Sequence, residues 1–376
     1  MKVAVLGAGP AGLTAAKVLI DGDVPTTVLE REAQVGGLAC TRVHGEFRYD
    51  LGGHRFFTKN EEVFALFKEV LGDELIGVHR SSKIFFKNRY FDYPLEPANA
   101  FFGLGPKTAF EILVTYLYEK FKFGRPVATN LEEWVTREFG SKMFQLYFKE
   151  YTEKVWGIDC REIAAEWVAQ RIKGMSLRVA IRNAFLKKPD EDPLSLLTYF
   201  YYPRLGIGRL SERMEDMVNA HPGSQVLKEA PVIRIHHEND RVLSVTHRTP
   251  DGQESDVVAD HFINSMPVTD AVRMLRPRPP KEILDAANAL DFRCLVSVHL
   301  EYDAPQVTKD NWVYIPERHI KFGRIHEPKN WSPAMAPADK TGLVFEYFCF
   351  PDDEVWKMAD EDLISLTARD FASLNL

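Results

Sequence analysis

Residues 2–12 read KVAVLGAGPAG, and this stretch decides the fold. An apolar strand runs from Lys2 to Leu6, the glycine-rich turn follows it, and the spacing of residues 13–20 predicts a helix. A second strand, residues 26–29, ends at Glu30. Strand, GxGxxG turn, helix, strand and acid in this order are typical of a βαβ unit that binds a dinucleotide.

Each glycine of this turn has a mechanical task. Gly7 permits the tight turn, Gly9 lets a pyrophosphate approach the backbone, and Gly12 lets the helix pack on the strand. The helix N-terminus offers free N–H groups to the phosphates. Glu30 is placed to accept hydrogen bonds from the ribose hydroxyls.

The residues after Glu30 bear on which dinucleotide binds. Gly36-Gly37 and Thr41-Arg42 follow, and residues 48–54 read RYDLGGH. This continuation resembles the FAD-binding amine-oxidase and mutase superfamily, in which the second glycine pair and the next loop run beside the flavin. FAD is long, and glycine suits positions where backbone lies against it. We therefore expect FAD rather than NAD.

The predicted cofactor-binding residues lie in the turn, in the loop after Glu30 and in two later strands. They are Gly7, Gly9, Pro10, Ala11, Gly12, Glu30, Arg31, Gly36, Gly37, Leu38, Thr41, Gly53, His54, Val232 and Met266. No residue is assigned to a metal.

Composition limits the classes of function. The 376 residues are 45% hydrophobic, enough for a large core and for two or three domains. A net charge of −7 argues against a nucleic-acid partner, so local arginines must bind any phosphate. The four cysteines are far apart without CxxC spacing, which favours reduced thiols in a cytoplasmic protein.

No segment is predicted to cross a membrane, and the first residues run directly into a strand, so we expect no signal peptide. The longest apolar candidate, residues 110–121, contains Glu111, Glu119 and Lys120. These charges favour a buried or interfacial helix.

The pattern along the chain predicts an α/β fold with three parts. A Rossmann-like FAD-binding domain of the glutathione-reductase type is expected at 1–80 and 205–290. The superfamily that the sequence resembles implies this discontinuity, since there the strand matching the buried strand at 262–267 returns to the first sheet. A helical insertion covers 98–204, with helices at 131–139, 143–149 and 164–172. A substrate-side antiparallel sheet comprises 81–97, including a hairpin turning at 87–89, and 291–376, with strands at 294–301 and 343–350.

Three separated segments resemble UDP-galactopyranose mutases, and together they span almost the whole chain. They are GGHRFF at 52–57; EW at 133–134, YTEKVW at 151–156, Trp167, Gln170 and Arg171; and WVYIPE at 312–317, FGR at 322–324 and NWSP at 330–333.

The resemblance implies flavin chemistry with no net redox change. In those mutases the N5 atom of reduced FAD attacks the anomeric carbon of a UDP-sugar, UDP leaves, and the sugar opens and recloses with another ring size. The expected partner is thus a nucleotide sugar, with NAD(P)H or another donor reducing the flavin.

The resemblance also implies roles for individual residues. Arg171 and Arg324 match the family's diphosphate-binding arginines, a task that suits the planar guanidinium. His54 matches the histidine beside flavin N5, and together with the two arginines it forms the predicted catalytic set. The predicted substrate-binding residues are Tyr93, Trp156, Arg171, Trp312, Tyr314 and Arg324.

Each assignment has a structural alternative. Arg171 could form a surface salt bridge, Arg324 could be an ordinary loop arginine, and His54 could be a structural histidine after a Gly-Gly turn. The aromatic residues at these positions could be ordinary core.

The sequence also departs from the family. Leu95-Glu96 follows Tyr93-Pro94 where an aromatic residue and an amide are usual, and Thr152 replaces an asparagine. These changes bear on the base and the sugar. The superfamily also closes its flavin site with a C-terminal Gly-Arg and aromatic-Asn-Asp segment, and the sequence to Leu376 is expected to lack it.

Two other functions stay open at this point. One is an FAD-dependent oxidoreductase of the amine-oxidase or protoporphyrinogen-oxidase type, which accepts hydride on oxidised flavin. The other is a flavin-binding fragment without turnover. The sugar, the base, the electron donor and the oligomeric state are not determined by the sequence.

Overall fold

The computed structural model describes residues 1–93, 105–122, 124, 126–171 and 199–376, and the side chains of these residues except 169–171. The strands are β1 Val3–Leu6, β2 Thr26–Leu29, β3 Thr41–His44, β4 Phe47–Asp50, β5 Leu75–His79, β6 Ser82–Phe86, β7 Arg89–Asp92, β8 Tyr199–Pro203, β9 Gln225–Leu227, β10 Val232–Glu238, β11 Arg241–Arg248, β12 Glu254–Val258, β13 His261–Asn264, β14 Leu275–Arg276, β15 Cys294–Tyr302, β16 Trp312–Tyr314, β17 Arg324–His326 and β18 Thr341–Cys349.

The helices are α1 Pro10–Asp21, α2 Glu61–Leu71, α3 Pro106–Phe121, α4 Leu131–Phe139, α5 Ser141–Met143, α6 Glu150–Trp156, α7 Ala165–Arg171, α8 Arg209–Ala220, α9 Val268–Met274, α10 Lys281–Asn288, α11 Glu354–Lys357 and α12 Asp360–Ala372. A π-helical segment, Phe144–Lys149, lies between α5 and α6. Among the described residues, no helix is both long enough and apolar enough to cross a membrane.

The chain forms two compact units. Unit 1 contains Met1–Gly77, Tyr201–Phe292 and Ser332–Ala336; unit 2 contains Val78–Phe200, Arg293–Trp331 and Pro337–Leu376. The mixed α/β class predicted from the sequence is confirmed, since parallel and antiparallel sheets are both present.

A parallel sheet with strand order β13-β1-β2-β9 organises unit 1. Its core contains Val5, Leu13, Val28 and Met214, so α1 and α8 pack on its strands. The predicted return of the strand at 262–267 is confirmed, because β13 pairs in parallel with β1. This strand is only partly buried, not the fully buried strand expected, because it lies at the sheet edge.

The other sheet of unit 1 has the order β12-β11-β10-β14. The turn between β10 and β11 is formed by Asn239 and Asp240, both with positive φ. Asparagine and aspartate tolerate this left-handed conformation better than most residues, so the sequence itself predicts a turn here, between strands at 232–236 and 242–247. The predicted strand pair is therefore confirmed.

Unit 2 contains a six-stranded sheet with the order β15-β18-β17-β16-β6-β7. One face carries Val313, Ile325 and Phe345, which form a hydrophobic core with Leu363 and Phe371 of α12. The β6–β7 hairpin predicted at 83–93 is present, and Lys87 and Asn88 form its turn with positive φ.

Helices α4 and α7, with the π-helical segment between them, pack around Val135, Phe139 and Val168. The sequence predicted a separate helical domain at 98–204, but the described helices of that range, α3 to α7, belong to the same unit as the six-stranded sheet. Lys154 of α6 supplies one physical reason: its ammonium donates to the carbonyl oxygens of residues 315, 317 and 320, at 2.8, 2.9 and 2.7 Å.

Candidate functional site

In the glycine-rich turn of unit 1, two glycine positions do not tolerate a side chain, and a third has room for one. Gly7 has φ of +100°, where a side chain is strained, and a Cβ on Gly12 would lie 2.0 Å from the carbonyl oxygen of Gly7. A Cβ on Gly9, in contrast, would meet nothing within 4 Å. The first and third glycines are therefore required by the fold, whereas the second leaves room beside the N-terminus of α1.

The carboxylate of Glu30 is fixed against this turn. It is buried, and it accepts the N–H of Ala8 at 2.8 Å and the N–H of Glu32 at 2.9 Å. A carboxylate has about four lone-pair positions, so these two bonds leave capacity for further donors such as hydroxyl groups.

The second glycine pair lies over the first turn. The N–H of Gly36 donates to the carbonyl of Ala8 at 2.8 Å, and a Cβ on Gly37 would lie 3.5 Å from Cα of Gly9. Both glycines have positive φ. The sequence KVAVLGAGPAG and the pair at 36–37 are thus brought together around one opening.

These features fit the ADP half of a dinucleotide cofactor. The opening at Gly9 leaves space for a diphosphate, Pro10 starts α1 without needing an N–H, and the helix N-terminus favours negative charge. The residues that would hold the cofactor are therefore the turn, Glu30 and the Gly36-Gly37 pair.

Other predicted cofactor residues have different surroundings. Leu38 is 83% exposed, and Arg31 is exposed and pairs with Glu32. Val232 lies in the core beside Leu29, and the N–H of Met266 donates to Asn264 at 3.2 Å. Ala11 is exposed on α1. Their roles in binding stay predictions.

A buried network that the sequence did not reveal holds the β3–β4 hairpin. The carboxylate of Asp50 accepts the hydroxyls of Thr41 and Tyr202, both at 2.6 Å, and the N–H of Ile207 at 3.2 Å. Burial raises the pKa of Asp50. Thr41 also accepts the N–H of Gly208 at 2.9 Å, so its hydroxyl has a structural task.

His54 follows this network along the chain, directly after Gly53. Its Nδ1 lies 3.1 Å from the carbonyl oxygen of Gly52. This contact orients the ring. Its predicted catalytic role stays a prediction.

A polar and aromatic face lies on the sheet of unit 2, opposite the face that packs on α12. Strand alternation puts Trp312 and Tyr314 of β16, Arg324 and His326 of β17, and Glu346 of β18 on this side. The register places Tyr314 across from Arg324, and Arg324 across from Glu346. We call these five residues the sheet-face cluster.

Arg324 is held in one orientation by Glu346. Its Nε donates to Oε1 at 2.9 Å and its Nη2 donates to Oε2, a bidentate pair. Glu346 is fully buried and also contacts Nδ1 of His326 at 3.0 Å. Burial raises the pKa of this carboxyl, but Arg324 and His326 outweigh burial and bring the pKa to about 2.

This pairing leaves part of the guanidinium available. The Nη1 group of Arg324 has no hydrogen-bond partner among the described residues, and the side chain is 24% exposed. An arginine held at Nε and Nη2 with Nη1 open presents donors in a fixed direction. Such donors suit a phosphate oxygen better than a mobile lysine does.

Aromatic side chains surround this arginine. Tyr314 makes edge-to-face contacts with Tyr93 and with Tyr151, both at 5.2 Å between ring centroids. The guanidinium of Arg80 lies 5.1 Å from the rings of Tyr93 and Trp312. The sequence predicted Tyr93, Trp312, Tyr314 and Arg324; it missed Arg80, although this arginine directly precedes β6.

Two predicted substrate residues are not placed in this cluster. Arg171 is the last residue of α7, and its side chain lies outside the described residues, so its predicted role in binding the diphosphate stays a prediction. Trp156 packs edge-to-face on Trp167 at 4.7 Å, against the hydrophobic cluster of the helices. Its role in substrate binding also stays a prediction.

Comparison with known proteins supports the flavin assignment. The sequence profile "Flavin containing amine oxidoreductase" matches residues 10–375. A 15-cis-phytoene desaturase of Synechococcus elongatus is 24% identical over 414 residues, covering 100% of this chain and 80% of the relative. Human amine oxidase [flavin-containing] B is 24% identical over 269 residues, covering 65% of this chain and 47% of the relative.

A similar solved structure is that of reduced UDP-galactopyranose mutase. It has a TM-score of 0.83 at 21% sequence identity, covering 100% of this chain and 79% of that chain. The resemblance inferred from the sequence is therefore confirmed, and at this identity it establishes the shared fold. The family profile covers nearly the whole chain, so this protein belongs to the family of flavin-containing amine oxidoreductases.

Proposed function

We propose that this protein is a flavin-dependent nucleotide-sugar mutase, which interconverts the pyranose and furanose forms of a UDP-sugar with FAD in its reduced form. The observation that carries the proposal is the orientation of Arg324 by Glu346 within an aromatic cluster. An amine or a hydrocarbon polyene has no anionic group for such an arginine, whereas a sugar diphosphate has one. A porphyrinogen has carboxylates, and the assay below distinguishes it from a sugar diphosphate.

The positive charge of two arginines supports the proposal. Arg324 has open Nη1 donors, and Arg80 brings a second guanidinium to Tyr93 and Trp312. Negative charge grows on the diphosphate as the bond to the anomeric carbon breaks, so donors fixed in advance stabilise the transition state more than the ground state.

The aromatic side chains near Arg324 also support the proposal. Tyr314 contacts the rings of Tyr93 and Tyr151 edge to face, and Tyr151 is partly buried. Rigid aromatic side chains can border a sugar or a base with little loss of conformational entropy. Burial, opposed by Arg324, raises the pKa of Tyr151, so its hydroxyl stays protonated and can donate a hydrogen bond.

The residues expected to bind the cofactor lie in unit 1. When bound and reduced, the flavin supplies a nucleophilic ring nitrogen, and the protein's task is to hold it. The opening at Gly9 and the carboxylate of Glu30 would bind the ADP half. His54, held by its contact with Gly52, matches the position beside the flavin ring in the mutases.

The test is an anaerobic assay of protein reconstituted with FAD and reduced with dithionite. UDP-galactopyranose and a panel of UDP-, GDP- and dTDP-hexoses are added, and the sugar ring form and the flavin absorbance are followed together. We expect ring contraction only with reduced flavin, and no reoxidation of flavin per turnover.

Variants of two arginines make this assay specific. Arg324→Lys keeps the charge but loses the bidentate geometry, and it should lower kcat/KM by about a hundredfold. Arg234→Lys, in an exposed ion pair with Glu254 on unit 1, is the matched control and should leave activity unchanged. Equal activity of both variants would contradict the proposed role of Arg324.

A second candidate is a true oxidoreductase that transfers hydride to oxidised FAD. The family profile and the amine-oxidase relative favour it. Its signature is bleaching of oxidised flavin by an amine, a porphyrinogen or a polyene, with no sugar rearranged under reducing conditions. Flavin retention with neither activity would instead indicate a flavin-binding protein without turnover.

A further inference from the structure

Two of the four cysteines lie opposite each other on neighbouring strands of unit 2. In the antiparallel register of β15 on β18, Cys294 faces Cys349. Directly opposite side chains point to the same side of a sheet, so both thiols lie on the face that carries Val298 and Phe345. Both thiols are free in the structure. The spacing of the cysteines along the chain gave no sign of this pair, because the two come from separate strands.

The backbone spacing of this pair suits a covalent link. Opposite residues of an antiparallel pair have Cα atoms about 4.5 or about 5.5 Å apart, depending on whether they exchange hydrogen bonds. A disulfide joins residues whose Cα atoms are roughly 4.4 to 6.8 Å apart, so both kinds of pair fall within its range. The register of Cys294 on Cys349 therefore allows a disulfide with at most a small adjustment of the two strands.

The strands are held together directly beside the pair. Arg293 precedes Cys294, and it contacts both neighbours of Cys349. Its Nη2 donates to the carbonyl oxygen of Phe348 at 2.7 Å, and its guanidinium lies 4.2 Å from the ring centroid of Phe350. Element ends open easily unless they are fixed. These contacts fix the end of β15 on the end of β18, so the two thiols stay opposite each other.

The two thiols differ in their access to solvent. Cys349 is only 2% exposed, and burial raises the pKa of its thiol against the opposing charge of Arg293. Cys294 is partly exposed. Because a thiol reacts as its thiolate and only where a reagent can reach it, an oxidant meets Cys294 first. Cys349 is then placed to complete the bond from the buried side.

From these observations we propose that Cys294 and Cys349 form a reversible thiol–disulfide site, which is oxidised by a low-molecular-weight disulfide such as oxidised glutathione. The thiolate of Cys294 attacks one sulfur of the oxidant, which gives a mixed disulfide and releases one glutathione. The thiolate of Cys349 then attacks the sulfur of Cys294 and releases the second glutathione. The protein dithiol loses two electrons and two protons, and the two released glutathione thiols carry them.

The experiment incubates the FAD-loaded full chain with oxidised glutathione and stops the reaction with acid. Free thiols are then blocked with N-ethylmaleimide in denaturant, and the unreduced peptides are identified by mass spectrometry. We expect one linked pair, Cys294 with Cys349, which dithiothreitol separates. Cys40 and Cys160 are internal controls and should be fully blocked, because both are buried and neither lies in a strand.

Variants test the order of the two steps. Cys349→Ser lacks the second thiol, so Cys294 should accumulate as the mixed disulfide with glutathione. Cys294→Ser should slow the modification of Cys349 at least about tenfold, because the remaining thiol is buried. Cys160→Ala is the matched control and should form the link at the rate of the unchanged protein. Flavin content and the thermal unfolding midpoint of the reduced variants verify that they fold.

Thermal unfolding gives a second readout that requires no variant. The oxidised protein should unfold at a midpoint roughly 5 °C above that of the same protein after dithiothreitol, because the bond closes a loop of about 55 residues in the unfolded chain. Cys349→Ser, treated in the same two ways, should show no such rise.

Three results would overturn the proposal. In the first, Cys294 and Cys349 of the oxidised protein are recovered as separate, blocked peptides, so the pair is only part of the packing. In the second, Cys294 of the unchanged protein remains a mixed disulfide or links to a second copy of the chain, so Cys349 does not reach it. In the third, the linked protein unfolds at a lower midpoint than the reduced protein, so the bond forms only when the strands are distorted.

Discussion

Glu346 binds the guanidinium of Arg324 from the neighbouring strand, through parallel hydrogen bonds from Nε and Nη2 to its two carboxylate oxygens. The carboxylate is fully buried, whereas the arginine is 24% exposed. Glu346 therefore acts as a support that fixes the direction of Arg324. The part of the guanidinium that remains open determines what the sheet-face cluster can bind.

Replacing the support should destabilise the protein. Glu346→Gln removes the buried negative charge and leaves the guanidinium without its counter-charge, and we expect a loss of roughly 3 kcal/mol in the free energy of unfolding. Urea denaturation measures this. Glu254→Gln, in the exposed pair with Arg234, is the control and should cost less than about 1 kcal/mol.

Comparing the two variants tests whether Glu346 stabilises the position of Arg324 or only lies beside it. If Glu346→Gln were as mild as Glu254→Gln, the buried pair would contribute no more than a surface pair, and Arg324 would not depend on it. Binding of UDP provides a second readout. We expect UDP to bind Glu346→Gln more weakly than the unchanged protein, and Glu254→Gln equally well.

The same pair predicts an acid-dependent loss of stability. The folded-state pKa of Glu346, about 2, is below its ordinary value of 4.5. The folded state therefore binds the proton less readily than the unfolded state, so stability from this group is complete above 4.5 and is lost as pH falls toward 2. Urea midpoints measured from about pH 5 to about pH 3 should fall less steeply in Glu346→Gln than in the unchanged protein.

Glu74 contributes to the same loss of stability at acid pH. Arg209 and Arg213 outweigh its partial burial and lower its pKa to about 2. Glu74→Gln should flatten the acid limb as well, independently of Glu346. An acid limb unchanged in both variants would contradict the assignment of this pH dependence to ion-paired carboxylates.

Substitutions at two glycines of the turn should distinguish an effect on folding stability from an effect on cofactor binding. Gly12→Ala places its methyl group 2.0 Å from the carbonyl oxygen of Gly7 and should lower the free energy of unfolding by about 3 kcal/mol. Gly9→Ala places its methyl group in open space and should change stability by less than about 0.5 kcal/mol.

Flavin affinity gives the second half of this comparison. We expect Gly9→Ala to bind FAD much more weakly, since its methyl group occupies the opening assigned to the diphosphate. Titration by flavin fluorescence quenching measures this. Normal FAD affinity in Gly9→Ala would show that the diphosphate does not lie at this opening.

Glu30→Ala should weaken FAD binding by roughly 1–3 kcal/mol, because charge-assisted hydrogen bonds to the ribose are lost. It also frees the N–H of Ala8, so a small loss of stability should accompany it. Glu32→Ala, at an exposed neighbouring carboxylate, is the control. Release and identification of the bound nucleotide after denaturation tests the cofactor itself: recovery of NAD(P), with no flavin bound even after reconstitution, would exclude FAD.

Local patterns determined much of the fold. The strand-turn-helix of residues 2–20, the Lys87-Asn88 turn and the Asn239-Asp240 turn were all predictable, because positive φ and hydrophobic periodicity depend on neighbouring residues. The family resemblance followed from the same stretches together with motifs such as YTEKVW and WVYIPE. The requirement for glycine at positions 7 and 12 could likewise be read from their spacing.

Only the tertiary structure decided how the site residues are paired. Arg324 and Glu346 are 22 positions apart, and the register of β17 on β18 puts them on one sheet face. The buried contacts of Asp50 with Tyr202, and of Lys154 with three carbonyls, also join distant segments. Periodicity likewise could not show which side of α3 is buried against the described part of the chain, because both sides are apolar and burial depends on what other segments place against each.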